Sequence, residues 1–206
     1  MQALEIFCGT KSFGKVATQK GYNVTSIDLM PRFKPTICAN VLDIDILDIE
    51  KKVGMPSVIW ASPPCIEYSR AKTKGKRNLK MANQLVMKTI AIIDFFLSKN
   101  PKLKWFLENP QTGLLPKQKF MVDMPYFDVD YCRFSDWGYR KRTRIWSNLE
   151  YGNVLCKGVG LCSNMIGRRH KNSCGNHSGH YTNNIVKKYE KYRIPPLLIE
   201  TLLSSI

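Results

Sequence analysis

The sequence predicts an α/β protein built on a parallel sheet with crossover helices. Three observations carry this expectation. Strand and helix signals alternate through the first half of the chain, and a glycine-containing loop joins the first strand to the first helix. A buried-strand signal at residues 56–61 then ends abruptly in Ser62-Pro63-Pro64-Cys65.

Residues 3–7 form a short apolar strand, and residues 13–20 an amphipathic helix that Gly21 stops. Residues 23–28 read as the second strand, 36–41 as a weaker third and 57–61 as the fourth. Residues 79–99 carry Leu85, Val86, Thr89, Ile90, Ile93, Phe96 and Leu97 at helical spacing, which predicts one long helix. Residues 104–107 give a fifth strand that closes on Glu108-Asn109-Pro110. Residues 126–134 and 143–146 then read as an antiparallel pair around a basic turn, and the apolar tail 195–206 as a helix packed back on the core. Residues 1–148 are therefore expected to form the core, 149–184 a small polar, Gly-rich segment, and 185–206 the returning helix.

The 206 residues suffice for one domain with a small appendage, and a domain of that size buries roughly 70% of its unfolded surface without needing disulfides. Seven cysteines at irregular spacing, with no signal-type leader, predict a reducing compartment, cytoplasmic or nuclear. No apolar run approaches the ~20 residues of a membrane span, so no membrane partner is expected. The formal charge of +16 instead favours a polyanion, and 11% aromatic content offers stacking surfaces.

The motifs narrow the chemistry. Two prolines fix φ and remove backbone donors, so Cys65 leaves the sheet on a rigid turn at its carboxyl edge, where open α/β folds bind ligands. In the first loop, Phe7-Cys8-Gly9-Thr10-Lys11-Ser12-Phe13-Gly14, Gly9 admits a close ligand and the helix start offers N–H groups. Asp28, at the end of the second strand, suits ribose hydroxyls. The loop lacks both a phosphate-loop lysine pattern and a full GxGxxG, which argues against a nucleoside triphosphate. Glu108 places a carboxylate beside the cysteine loop, where it can share a proton with a substrate nitrogen. Arg142 and Arg144, two apart on a strand, face the same way and can present paired guanidinium forks.

In this order the motifs resemble those of the cytosine 5-methyltransferase family, over roughly residues 4–146, with weaker likeness at 192–203. Residues 7–14 are similar to its cofactor loop and 62–69 to its Pro-Pro-Cys nucleophile loop. Glu108-Asn109 is similar to its Glu-Asn-Val motif, and Arg142-Thr143-Arg144 to its Arg-x-Arg signature. The style is that of the compact members found in phages and large viruses, so a virus-encoded protein acting in a host cell is expected. The resemblance implies a Rossmann-like S-adenosylmethionine-dependent methyltransferase fold with a small inserted recognition segment. It also implies the reaction: methylation of carbon 5 of a flipped cytosine in DNA through a covalent cysteine adduct.

Residue by residue, the resemblance makes Cys65, Glu108, Arg142 and Arg144 catalytic. Phe7, Cys8, Gly9, Thr10, Ser12, Asp28, Leu29 and Pro63 would hold the cofactor, with an adenine contact from the 40–43 segment, where Asn40 and Asp43 are the candidates. The basic run after the cysteine would grip phosphates as a lid through Ser69, Arg70, Lys72, Lys74, Lys76 and Arg77, joined by Arg140. Lys11 and Ser12 stand where the family has glycines, Pro110 where it has valine, and Arg140 where glutamine opens the Arg-x-Arg signature. None of these departures removes a catalytic side chain, though they leave room for altered substrate choice. The protein is expected to act as a monomer. Transfer RNA is the alternative substrate, and a catalytically inactive nucleic-acid-binding homologue is the alternative class. Intact Cys65, Glu108 and Arg144 count against the latter, and the +16 charge counts against free nucleotides.

A second cluster gathers Cys156, Cys162, His170, Cys174, His177 and His180 in the polar segment. Tetrahedral zinc needs four nitrogen or sulfur ligands, and Cys156, Cys162, His170, Cys174 and His177 are the expected donors. The segment takes the place of the family's target-recognition domain, and its small size predicts a short target sequence, or none.

Overall fold

A computed structural model describes residues 1–70, 72–173 and 190–206. Its centre is a seven-stranded sheet. β1 (Gln2–Ile6), β2 (Asn23–Asp28), β3 (Ile37–Cys38), β4 (Val58–Ala61) and β5 (Lys104–Pro110) are parallel, while β7 (Arg142–Ser147) runs antiparallel between β5 and β6 (Tyr126–Asp130). The strand order is β3-β2-β1-β4-β5-β7-β6.

Alternation along the strands builds two cores. Leu4, Ile6, Ile59, Ala61, Trp105 and Leu107 point to one face, which α2 (Ile46–Val53) and α3 (Leu79–Lys99) cover. Ala3, Val58, Trp60 and Phe106 point to the other, under α1 (Ser12–Gln19) and α4 (Pro196–Leu203). Side chains that are apolar on both faces are what a doubly covered parallel sheet requires. Phe13, Trp60 and Phe106 stack in sequence across the second core, with ring centroids 5.5 Å apart at each step. α3 is long and apolar enough to cross a membrane by length and composition, but Ala82, Val86, Thr89, Ile92, Ile93 and Phe96 are buried along one side against the sheet.

Two expectations need correction, and one helix was not foreseen. The third strand shrinks to two residues, because Asn40 accepts a bond from the Leu42 amide (3.2 Å) and starts a turn. The strand expected over 126–134 stops at Asp130 and becomes a 3-10 turn over Tyr131–Arg133. Finally, α2 was not expected from sequence. It starts where the Asp45 carboxylate accepts from the Leu47 amide (2.9 Å), an N-cap that satisfies a helix-end donor. Of its eight residues only Ile49 and Val53 are buried, too few to write a period. Within the described part of the polar segment, β8 (Met165–Ile166) and β9 (Arg169–His170) form a small hairpin, and Val154 bridges to Val129.

Candidate active site

The loop after β4 and the end of β5 meet at the carboxyl edge of the sheet. Pro63 is buried, and its carbonyl accepts a 2.9 Å bond from the buried Asn109 amide, so the residue after Glu108 holds the cysteine turn. Further on, Tyr68 is fully buried. Its hydroxyl donates to Asn83 (2.8 Å) and its carbonyl accepts from the Leu114 amide (2.9 Å). Cys65 lies between these two anchors, half-buried.

Glu108 is 6% exposed, and its Oε1 accepts from the Tyr131 hydroxyl (3.2 Å) and the Lys141 ammonium (3.3 Å). Burial raises the Tyr131 hydroxyl well above its ordinary range, so it remains a donor. The Lys141 ammonium also lies 4.7 Å from the centre of the Tyr131 ring. Glu108 pairs with Ile145 in the ladder and Asn109 with Arg144, so Arg144 leaves the sheet on the face opposite Glu108. There its guanidinium binds Asp128 bidentately (2.8 and 2.9 Å) and packs 3.5 Å from the Tyr126 ring centre. Gln111 donates to the same carboxylate (2.7 Å). Arg144 thus ties the strand ends together. Arg142 is exposed, at the sheet edge that also carries the cysteine loop.

The cofactor loop is held in the left-handed region at Phe7 (φ 59), Gly9 (φ 45) and Lys11 (φ 55). Only glycine takes this conformation without strain, and a Cβ on Gly9 would approach only the Phe7 carbonyl, at 3.9 Å. The Asp28 carboxylate accepts the Gly9 amide (2.9 Å) on one oxygen and the Met30 amide (2.8 Å) on the other. Each oxygen keeps a lone pair for a hydroxyl. Ser12 bonds Thr10 (3.0 Å) and accepts the Ile194 amide (3.1 Å), so the serine in place of a glycine tethers the C-terminal helix to the loop. Lys11 reaches the Lys34 carbonyl. Leu29 and Asp43 are exposed, while Asn40 is partly buried and spends its side-chain oxygen on its own turn. Burial pushes Cys8 up to about 12, which removes it as a competing nucleophile. The open loop, the spare acceptors of Asp28 and the half-buried Phe7 ring fit an adenosine-type cofactor.

Sequence reading passed over Glu5, one strand residue before the loop. It lines a cavity of about 350 Å³ with Lys11, Lys15, Ser26 and Thr36. Burial dominates and raises its carboxyl to about 8, against the pull of the Gly14 and Phe13 amides. A Cβ on Gly14 would come within 2.6 Å of its Oε2, so Gly14 is the residue that leaves room for it. The folded protein binds this proton more tightly than the unfolded chain. Glu5 therefore contributes stability that is full below about pH 4.5 and lost as pH rises through about 8, worth on the order of 5 kcal/mol across that window. Unfolding midpoints of wild type and Glu5→Gln measured against pH should diverge between about pH 4.5 and 8, with the variant gaining on wild type as pH rises. Parallel curves would contradict this account of Glu5.

The basic run proves to be partly self-tied. Glu67 accepts Lys72 (2.6 Å) and the Asn78 amide (2.7 Å), which holds its carboxyl below the usual range. Arg77 donates to the carbonyls of Glu67, Ser69 and Lys72 (2.7–2.9 Å). Lys72 and Arg77 thus brace the loop, leaving Arg70, Lys74 and Lys76 as its exposed cations. Arg140 is likewise committed, to the buried carboxylate of Asp130 (2.9 Å). These three side chains, expected to contact phosphate, are also paired within the protein.

The Cys/His cluster is composed differently from the expected set: Cys156, Cys162 and His170 converge with Cys132, just after β6, and the side-chain atoms of all four that could bind a metal lie within 4.8 Å of one another. Cys174, His177 and His180 lie outside the described residues. Burial lowers His170, which favours the neutral imidazole that metals bind.

A parallel sheet with one reversed strand, a glycine loop after β1 and an acid at the end of β2 define the Rossmann-like methyltransferase class of fold. No protein-family model matches the chain. It is 28% identical to a protein of Frog virus 3 (isolate Goorha) named "Probable DNA (cytosine-5)-methyltransferase", over 98% of this chain and 99% of the relative. It is also similar to the solved Entamoeba histolytica methyltransferase EhMeth, at 18% identity and a TM-score of 0.41, covering 75% of this chain and 56% of that one. The chain therefore spans little more than half the length of that structure.

Proposed function

We propose that this protein methylates carbon 5 of cytosine in DNA, with Cys65 as nucleophile and S-adenosylmethionine as donor. The observation that carries the reading is the Asn109–Pro63 bond, which fixes the cysteine turn to the strand end that bears Glu108. The name of the viral relative supports DNA as substrate and action inside an infected cell.

Cys65 as thiolate bonds to carbon 6 of the base, and the displaced electron pair moves into the ring. Glu108 holds the ring nitrogen and exocyclic amine and hands over the proton that drains this charge. Tyr131 and Lys141 occupy Oε1, which leaves Oε2 for the substrate. When bound, S-adenosylmethionine supplies an electrophilic methyl group, and Phe7, Gly9 and Asp28 are the residues that would hold it. Carbon 5, made electron-rich, takes the methyl. Water then takes the carbon 5 proton, the freed electron pair restores the double bond and expels the thiolate, and Glu108 takes back the ring-nitrogen proton. A base inside a duplex must leave the stack to reach Cys65, and exposed Arg70, Lys74, Lys76 and Arg142 line the edge where displaced phosphates would pass. Residues 149–184 serve as the small recognition segment.

Affinity for DNA should fall about 10³-fold or more between 50 and 200 mM salt if six or more phosphates are neutralised. A flat salt response would exclude DNA and RNA together. The test of the whole reading offers S-adenosylmethionine with unmethylated DNA and with transfer RNA, and analyses the nucleosides by mass spectrometry. New 5-methylcytosine in DNA is expected. Its appearance in transfer RNA alone would move the substrate to RNA.

A further inference from the structure

Cys132 and the cysteines of the polar segment are far apart in sequence, yet they meet at one point. Cys132 and Cys162 are buried, while Cys156 and His170 are half-buried. The Cys156 and Cys162 sulfurs each lie 3.6 Å from His170 Nε2, and none of the four residues is spent on a disulfide. Zinc bonds of about 2.3 Å to sulfur and 2.0–2.1 Å to nitrogen, set at tetrahedral angles, separate such a pair by about 3.6 Å.

The surroundings hold the donors in place. Asp130 accepts the Cys156 amide (2.7 Å), Asn164 donates to the Cys132 carbonyl (2.9 Å), and the Cys162 amide closes a turn on the Gly158 carbonyl (3.0 Å). Three thiolates and one imidazole form a soft, closed set with no position left for water, the pattern of a structural rather than a catalytic ion.

We propose that Cys132, Cys156, Cys162 and His170 bind one zinc ion that staples residues 149–173 to the catalytic sheet. Leu149, Tyr151 and Val154 pack on the second core, but beyond them Leu155, Val159, Leu161 and Ile166 are exposed and the segment's other described side-chain ties to the core are polar. Asn164 also reaches the Ser135 carbonyl and the Gly138 amide, and Asn172 the Trp137 carbonyl. The ion anchors both sides of this contact. Its ligand Cys132 directly follows Tyr131, whose hydroxyl holds Glu108, so the staple also fixes the turn that presents Tyr131. The metal assignment stands apart from methyl transfer, because its readouts are metal content and absorption.

Full-length protein purified without chelator is analysed for metals, then reloaded with cobalt to count thiolates from the sulfur-to-metal charge-transfer absorption. One equivalent of zinc and a three-thiolate spectrum are expected, both unchanged in the triple variant Cys174→Ser, His177→Ala, His180→Ala. Cys132→Ser should lose about a third of the charge-transfer intensity, or the metal altogether. Less than half an equivalent of zinc in wild type, another metal in its place, or loss of metal from the triple variant would overturn the proposal. The triple variant decides the ligand set even if Cys132→Ser does not fold.

Discussion

Replacing Cys65 with alanine is expected to lower methyl transfer at least about 10³-fold, because the covalent route loses its nucleophile. Cys8 cannot substitute, since burial keeps it protonated and it lies in the cofactor loop. Affinity for DNA should stay within about twofold, since binding rests mostly on phosphate contacts. Folding should also hold, because the turn is anchored at Pro63 and at Tyr68. Turnover assays and filter binding on the same preparation check both halves. A variant that lost binding together with activity would show that Cys65 supports the loop instead of reacting.

Glu108→Gln is the second large effect expected, a fall in kcat of about 10²–10³ with little change in KM. The amide keeps the size of the carboxyl and can still accept from Tyr131, but it cannot pass a proton to the ring nitrogen. It also leaves the Lys141 ammonium, 15% exposed, without its counter-charge, so a small loss of thermal stability accompanies the kinetic one. Tyr131→Phe separates the two contributions. It removes one donor to Oε1 without touching the carboxyl and should cost far less in kcat than Glu108→Gln. Equal losses in the two variants would mean that Glu108 acts only as a structural acceptor.

The parts of this site that were legible in the sequence are those written locally. Pro63-Pro64 after an apolar strand fixes where Cys65 must emerge, and Glu108 follows directly from the end of β5. The two-residue spacing of Arg142 and Arg144 gave their shared face correctly. It could not give which face, because that depends on β7 pairing between β5 and β6. The complementary spacing of Asp128 and Asp130 opposite Arg144 and Arg142 was the available signal, and it explains why Arg144 is spent on an ion pair. Cys132 was missed for a similar reason. Sequence reading groups donors that are neighbours in the chain, whereas β6 and the 3-10 turn after it bring this thiol to Cys156 from 24 positions away. Glu5 looked like one more strand residue until its burial was seen.

The central claim is a covalent bond between Cys65 and carbon 6 of a cytosine in DNA. DNA whose target cytosines carry fluorine at carbon 5 tests it most directly. The nucleophile can still add and the methyl can still transfer, but no carbon 5 proton remains to be lost, so the enzyme cannot be expelled. With S-adenosylmethionine present, the account predicts a stable protein–DNA adduct whose digest places the modified base on the Cys65 peptide. Ordinary DNA gaining 5-methylcytosine while fluorinated DNA yields no adduct, or an adduct on any other residue, would contradict it.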